Sequence, residues 1–191
     1  MVLKLYGLTK SRALRCIWML YEIGEPFELV RVDARSPELA HVNPNRKIPA
    51  LVDGDAVLWE SMAINLYLAQ TRTTPLSPRG RGELGDALKW ALWAQSELEE
   101  YFNKTKSLDA VTHEWTAKTI GVLETTLQRD GYLMADRFTV ADLNVNSMFW
   151  GPVSSQLRLD AFPTVKRWRD QCWQRPACAR ALSEALDPAF R

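Results

Sequence analysis

A segment rich in glycine and proline, residues 71–85, divides the sequence into two parts of different character. Before it, short apolar runs alternate with stretches of helical periodicity, whereas after it the apolar patterns have the helical period. Because glycine and proline interrupt both kinds of element, such a segment favours a linker between domains. We therefore predict one domain at residues 1–72, a linker at 73–84 and an all-helical domain at 85–191.

The order of elements before the linker predicts an α/β sheet. Strands are expected at residues 2–6, 27–32, 48–52 and 56–59, and helices at 11–23, 36–42 and 61–70. Asp53-Gly54-Asp55 lies between the last two apolar runs, which is typical of a hairpin turn. The order βαβαββα, a βαβ unit followed by a hairpin and a helix, is typical of a sheet covered by helices.

After the linker, helices are expected at residues 87–102, 111–128 and 139–150, followed by two that open at Pro163 and Pro176. The clearest start follows Thr139, because Asp142 stands three residues later and an apolar run comes next. This spacing predicts a capping box with a short acid, in which each residue binds the other's backbone N–H.

The composition argues against several classes of function. The 24 basic and 23 acidic residues give a net charge of +1, without the basic excess of nucleic-acid-binding proteins. The two histidines, His41 and His113, belong to no ligand-spaced cluster, so neither a metal site nor a Ser-His-Asp triad is expected. No apolar run reaches the length of a membrane span, and the N-terminus lacks the apolar run of a signal peptide. Three cysteines without a CxxC pattern favour a reducing, cytoplasmic location.

Three motifs carry a resemblance to a known family. Residues 43–51 (NPNRKIPAL), 53–55 (DGD) and 59–68 (WESMAINLYL) are together similar to the glutathione-site signature of cytosolic glutathione S-transferases. Residues 136–143 (DRFTVADL) resemble the capping motif of that family's helical domain. Near the N-terminus, Ser11 is followed four residues later by Arg15, which resembles the serine-type theta and phi classes. The chain thus resembles a bacterial-style, serine-type member of the family.

The resemblance implies a thioredoxin-like glutathione-binding domain, an all-helical second domain and a homodimer. It implies that Glu60 pairs with the ammonium group of glutathione and that Ser61 binds the γ-glutamyl carboxylate. Free N–H groups at a helix start also favour an anion there, although Ser61 could instead only cap the helix. Pro49 would follow a cis peptide bond, and Ile48 would bind the peptide through its main chain.

Two basic residues match positions that hold the glycyl carboxylate in related classes, namely Arg35 and Lys47. The alternative for each is an ordinary solvated charge. Between them, Arg46 stands where many members of the family carry glycine.

Ser11 is the expected activator of the glutathione thiol. A free thiol has a pKa of about 8.5, so a hydrogen bond to the sulfur and a nearby helix N-terminus would increase the thiolate fraction at neutral pH. Ser11 would be a hydrogen-bond donor and not a nucleophile, and its hydroxyl could also cap the first helix. Thr9 and Tyr6 are the alternative activators.

The expected activity is conjugation of the glutathione thiolate to small hydrophobic electrophiles, with glutathione as co-substrate and no metal. Candidate residues for the electrophile pocket are Leu8, Thr9 and Trp93. Two alternatives are kept: a non-catalytic relative that regulates or binds, and a glutathione-dependent isomerase similar to maleylacetoacetate isomerase. The serine-and-cysteine motif of that isomerase class is missing from the first helix.

Overall fold

The computed structural model describes residues 2–104, 113–134, 136–151, 154 and 157–187. The chain forms two compact units, Met1–Thr74 together with Gln174–Arg191, and Pro75–Trp173. In the described part of the chain, no helix has the length and apolar character needed to span a bilayer.

A four-stranded sheet forms the centre of the first unit. Its strands are β1 (Leu3–Tyr6), β2 (Phe27–Val30), β3 (Ala50–Asp53) and β4 (Ala56–Trp59), in the spatial order β2-β1-β3-β4. β1 is parallel to β2 and antiparallel to β3, and β3 is antiparallel to β4. The helices are α1 (Ala13–Ile23) between β1 and β2, and α2 (Ser61–Thr71) after β4. This arrangement confirms the predicted α/β class and the βαβ unit followed by a hairpin.

The expected helix at residues 36–42 is only a single 3-10 turn, Pro37–Leu39. Its backbone N–H groups bond three residues back, from Leu39 to Ser36 and from Ala40 to Pro37, both at 3.1 Å, which is the tighter 3-10 pattern. The segment is held in place by Leu39, which is completely buried and packs with Val42 and Ala50.

The end of β1 lies close to the start of α1. Leu3 and Leu5 of β1 are buried, and α1 buries its whole first part, including Trp18. Gly7 lies between the two elements, and a Cβ atom there would come within 2.6 Å of the Cβ of Ala13. Since real Cβ atoms do not approach this closely, glycine at this position allows the helix to begin directly against the strand.

The helix α8 (Pro176–Leu186) packs against α1 in the first unit. Arg175 donates two hydrogen bonds to the carboxylate of Glu22, at 2.6 and 2.7 Å. Tyr21 donates its hydroxyl to Glu184 at 2.6 Å, and the guanidinium of Arg180 lies 3.9 Å from the centre of the Tyr21 ring. The predicted second domain, residues 85–191, includes α8, whereas in the structure α8 belongs to the first compact unit together with Met1–Thr74.

The second unit is helical in its described residues, as expected. Its elements are α3 (Gly80–Trp93), a π-helical turn (Ala94–Leu98), α4 (Glu99–Lys104), α5 (His113–Asp130), α6 (Val140–Asn146), a 3-10 turn (Ser147–Trp150) and α7 (Pro163–Trp173). α3 begins seven residues before the predicted start, within the glycine-rich segment. The carboxylate of Glu83 accepts the Arg79 N–H at 2.8 Å and two bonds from Arg137, at 2.6 and 3.1 Å, which stabilises this early start.

The capping box at α6 is confirmed. The N–H and the hydroxyl of Thr139 both donate to one carboxylate oxygen of Asp142, at 2.9 Å. The other oxygen accepts the Leu133 N–H and the indole N–H of Trp168, both at 3.0 Å. Burial raises the pKa of Asp142, and these four hydrogen bonds oppose the rise. The motif therefore joins α6 to α7, through Trp168, and to the connection between α5 and α6, through Leu133.

A carboxylate from α5 caps α7. Glu124 accepts the backbone N–H of Thr164 at 3.1 Å and that of Val165 at 2.9 Å. Burial alone would raise the pKa of Glu124, but these hydrogen bonds lower it below its ordinary value. The negative charge thus lies at the positive end of the α7 dipole.

Candidate functional site

Three parts of the first unit meet at the start of α1. A Cβ atom on Gly7 would lie 2.6 Å from Ala13 Cβ, 3.6 Å from Ile48 Cβ and 3.9 Å from the Cα of Pro49, so β1, α1 and the loop before β3 are in contact there. Within the first turn of α1, the Arg15 guanidinium lies 3.4 Å from the hydroxyl oxygen of Ser61 at the start of α2. The fold therefore brings Ser11, the Ile48–Pro49 loop and Ser61 around one helix start.

The Ser11 hydroxyl makes two local hydrogen bonds. It donates to the carbonyl oxygen of Leu8 at 2.7 Å and accepts the backbone N–H of Ala13 at 3.0 Å. The side chain is half-buried. Ser11 thus caps the first turn of α1, as its alternative role predicts, and it could donate to another acceptor only by turning its hydrogen away from Leu8.

The two alternative activators have different surroundings. Thr9 is 1% exposed, so its hydroxyl lies beneath the surface. Tyr6 packs against the buried cluster of Leu39, Val42 and Ala50, and its ring makes an edge contact with His41 at 6.1 Å between centroids. Of the three candidates, Ser11 is the one that has a partly exposed hydroxyl at the first turn of α1.

The start of α2 combines a cation with a strained backbone. Ser61 is buried, and Arg15, which is 8% exposed, contacts its hydroxyl, so positive charge lies beside the free N–H groups of the helix. Glu60, immediately before the helix, is exposed and has a φ of 71°. A non-glycine residue in this region costs about 1–3 kcal/mol, and such residues cluster at functional sites. The spacing of Arg15 from Ser11 is visible in the sequence, but its contact with Ser61, which lies 46 positions away, is not.

The Ile48–Pro49 peptide bond is cis, as the resemblance implies. Pro49 is buried and Ile48 half-buried. Within the described residues, the main-chain N–H and C=O of Ile48 make no hydrogen bond to the protein. An extended peptide could therefore bind along this residue, as a strand binds at a sheet edge.

The basic residues Arg35 and Lys47 are both exposed and lie on neighbouring turns. The backbone N–H of Arg35 donates to the carbonyl oxygen of Arg46 at 2.7 Å, which joins the two turns. Arg35 and Arg46 both have positive φ angles, 71° and 49°.

The remaining candidates have the following places. Leu8 is half-buried in the first unit, and Trp93 is half-buried on α3 in the second, where its ring lies 5.3 Å from that of Trp90.

The thiol of Cys16 is completely buried, and this burial raises its pKa despite the neighbouring charge of Arg15. A buried neutral thiol of this kind is unreactive. The described residues contain no group of three or more His, Cys, Asp or Glu residues that could hold a metal ion.

Comparison with known proteins gives concordant matches in both parts of the chain. The family description "Glutathione S-transferase, N-terminal domain" matches residues 1–70, and "Glutathione S-transferase, C-terminal domain" matches residues 88–176. Glutathione S-transferase 3 of Zea mays is 33% identical over 214 aligned positions, which cover 95% of this chain and 93% of the maize protein.

Solved structures agree with this result. The apo form of glutathione S-transferase III has a TM-score of 0.81 at 30% identity, covering 98% of this chain and 99% of its own. Glutathione S-transferase I from maize, in complex with an atrazine–glutathione conjugate, has a TM-score of 0.81 at 29% identity, covering 99% and 100% of the two chains.

Proposed function

We infer that this chain is a glutathione transferase: it belongs to the glutathione S-transferase family, whose two domain descriptions match residues 1–70 and 88–176. It transfers the thiolate of glutathione to small hydrophobic electrophiles. The observation that best supports a glutathione site is the meeting of Ser11, the cis Ile48–Pro49 loop and the Arg15–Ser61 pair at the start of α1.

The γ-glutamyl end of glutathione carries one carboxylate and one ammonium group. We assign the carboxylate to Ser61, because the free N–H groups of α2 and the Arg15 guanidinium both favour an anion there. We assign the ammonium to Glu60, because its exposed carboxylate has no hydrogen-bond or ion-pair partner among the described residues. The positive φ of Glu60 is then the backbone conformation that presents this carboxylate.

The cysteinyl part would bind along the free main chain of Ile48, as one strand binds another. This places the thiol of the peptide toward the start of α1, where Ser11 caps the helix. The Ser11 hydroxyl then donates to the sulfur, and the thiolate is favoured over the thiol. The glycyl carboxylate is assigned to Arg35 and Lys47.

We also propose a homodimer, which would bury apolar side chains that each unit leaves exposed. On the edge strand β4 of the first unit, Val57 is 49% and Trp59 39% exposed. On α3 of the second unit, Leu88 and Leu92 are 47% and 70% exposed, one helical turn apart. A second copy of this chain is the partner that a two-fold interface would provide. The serine-type, theta- or phi-like class, the cytoplasmic location and a reaction without a metal belong to the same proposal.

Leu8, Thr9 and Trp93 stay candidates for the electrophile pocket. The half-buried Leu8 offers an apolar surface close in sequence to Ser11. Trp93 offers a large ring, which meets the Trp90 ring in a T-shaped contact.

A titration with reduced glutathione tests the assignment of the γ-glutamyl end. The wild-type protein should bind glutathione and gain thermal stability in its millimolar presence. Glu60→Gln should weaken binding about tenfold to a hundredfold, because a charge-assisted bond contributes about 1.5–3 kcal/mol. Glu38→Gln removes another exposed carboxylate from the same unit and should leave the affinity unchanged. If the wild-type protein neither releases heat nor gains stability with glutathione, the proposed function is wrong.

A further inference from the structure

A buried asparagine joins α2 to α1 beside the proposed γ-glutamyl site. Asn65 of α2 is completely buried, and its side-chain amide donates a hydrogen bond to the main-chain carbonyl of Arg15 in α1, at 3.3 Å. Burial of an amide costs free energy even when a hydrogen bond offsets part of it, whereas an apolar side chain would fill a contact between two helices without this cost. What Asn65 contributes is therefore the fixed spacing and direction that its hydrogen bond imposes on α1.

Two further contacts connect the starts of the same two helices. The guanidinium of Arg15 lies 3.4 Å from the hydroxyl oxygen of Ser61, and the thiol of Cys16 donates to the main-chain carbonyl of Ser61 at 3.6 Å. Burial raises the pKa of the Cys16 thiol, so the thiol keeps the proton that it donates. Ser61 and Asn65 are four residues apart in α2, so they lie on the same face of that helix. Asn65 thus holds the main chain of Arg15, and the Arg15 side chain extends to Ser61 from that fixed point.

The place of the Arg15 charge depends on these contacts. Arg15 is 8% exposed and Ser61 is 2% exposed, so water screens the charge only weakly. The energy of a weakly screened charge pair changes steeply with distance, and a charge-assisted hydrogen bond needs its donor close to the acceptor. A small shift of the Arg15 main chain would therefore weaken the binding of an anion at the start of α2.

We propose that Asn65 is a positioning residue: through the Arg15 carbonyl, it holds the Arg15 guanidinium where the γ-glutamyl carboxylate of glutathione binds. This inference rests on the proposed function and extends it to a residue one helical turn beyond Ser61, which acts through Arg15 and not on the substrate. Asn65 should then contribute to affinity only when the ligand carries that carboxylate.

The test compares reduced glutathione with γ-aminobutyryl-cysteinylglycine, which is glutathione without its γ-glutamyl carboxylate. Dissociation constants of both ligands are measured for the wild-type protein, Asn65→Leu and Tyr67→Phe. Leucine has the branched shape of asparagine and no donor, and Asn65→Ala gives the same comparison if leucine is not accommodated. Tyr67→Phe is the matched control, because it removes another tertiary hydrogen bond of α2, from the Tyr67 hydroxyl to Asp53 at 2.9 Å.

We expect Asn65→Leu to weaken glutathione binding roughly twofold to tenfold, as for the loss of one neutral hydrogen bond, and to change the affinity for the analogue by less than about twofold. KM for glutathione should rise while kcat stays unchanged, because the cap of Ser11 on α1 does not involve Asn65. A merely structural loss would instead lower the stability and affect both ligands alike. Tyr67→Phe should lower the stability and leave the preference for glutathione unchanged.

The outcomes separate this inference from the proposed function. If the wild-type protein prefers glutathione and Asn65→Leu weakens both ligands equally, weakens neither, or lowers kcat at constant KM, the role of Asn65 is overturned and the proposed function stands. If the wild-type protein binds glutathione no more tightly than the analogue, the inference fails together with the assignment of the carboxylate. A wild-type protein that does not bind glutathione overturns the proposed function as well.

Discussion

Substitution of Ser11 by alanine should raise the pKa of the bound glutathione thiol by about one unit or less. The structure sets this limit, because the Ser11 hydroxyl already donates to the Leu8 carbonyl at 2.7 Å. To stabilise a thiolate, it must exchange that neutral acceptor for a charged sulfur. The gain is therefore the difference between two hydrogen bonds and not the whole of one.

The magnitude follows from this exchange. A hydrogen bond to a charged group contributes about 1.5–3 kcal/mol and a neutral one about 0.5–1.5 kcal/mol. The difference, about 1–1.5 kcal/mol, corresponds to about 0.7–1.1 pKa units at 1.36 kcal/mol per unit. At neutral pH this loss should reduce turnover roughly fivefold to tenfold, and the reduction should shrink as pH rises and the thiolate forms unaided.

The assay follows the thiolate absorbance of the glutathione complex across pH. Two variants separate the catalytic role of Ser11 from its structural role, since the same hydroxyl accepts the Ala13 N–H at 3.0 Å. Ser11→Ala should lose about 0.5–2 kcal/mol of stability through the lost cap, whereas Ser11→Gly should lose only about a few tenths of a kcal/mol. Both should show the same rise in the pKa of the thiol.

Variants of the alternative activators, Thr9 and Tyr6, test whether Ser11 is the residue that activates the thiol. If Ser11→Ala titrates like the wild-type protein while Thr9→Ala or Tyr6→Phe shifts the pKa of the thiol, that residue is the activator. If none of the three shifts it, the backbone N–H groups at the start of α1 stabilise the sulfur. If Ser11→Ala shifts the pKa and Ser11→Gly does not, the effect comes from the helix cap.

Two further predictions concern acid stability and assembly. The hydrogen bonds from Arg137 hold the pKa of Glu83 below its ordinary value, so the stability they confer is present above the unfolded-state pKa and is lost as pH falls through the folded-state pKa. In urea unfolding at neutral pH, Glu83→Gln should be less stable than the wild-type protein by about 1 kcal/mol, a small value because the Glu83–Arg137 pair is partly exposed. In acid the two proteins should be equally stable. A difference in stability that persists in acid would contradict this prediction. Sedimentation should give about twice the chain mass of 21.8 kDa, and Trp59→Glu should shift it toward that mass while Val122→Glu should not; a wild-type monomer at micromolar concentration would contradict the dimer.

The sequence was sufficient where the determining interactions are local. The capping box needs only Thr139 and Asp142, three residues apart, and the structure has it as predicted. The strands and α1 follow from apolar periodicity and from turns such as Asp53–Asp55, which belong to single segments.

Features that depend on distant partners could not be predicted in this way. The helix α7 is capped by Glu124, which lies 40 positions before Thr164. The early start of α3 depends on Glu83, which is held by Arg137 at a separation of 54 residues. Because glycine is unfavourable inside helices, the sequence pattern alone predicts the start of this helix seven residues too late.

The candidate site shows the same division. The sequence motifs are sufficient to select Ser11, Pro49 and Ser61 as candidates. The cis Ile48–Pro49 peptide bond agrees with what the resemblance implies. The positive φ of Glu60 and the contact between Arg15 and Ser61 depend on tertiary packing. The roles of these residues toward glutathione stay predictions for the experiments above.

The pairing of α8 with α1 has a consequence for the order in which the protein can mature on the ribosome. Glu22, whose carboxylate side chain is 7% exposed, lies 153 positions before its partner Arg175, so a nascent chain carries this acid long before the cation emerges. The sheet-containing unit can then complete its packing only after the whole helical unit has been translated. A stalled or truncated product that ends before Arg175 would expose the α8-facing surface of α1, including the ring of Tyr21, and exposed apolar surface of this kind is what chaperones and proteases bind on incompletely folded chains.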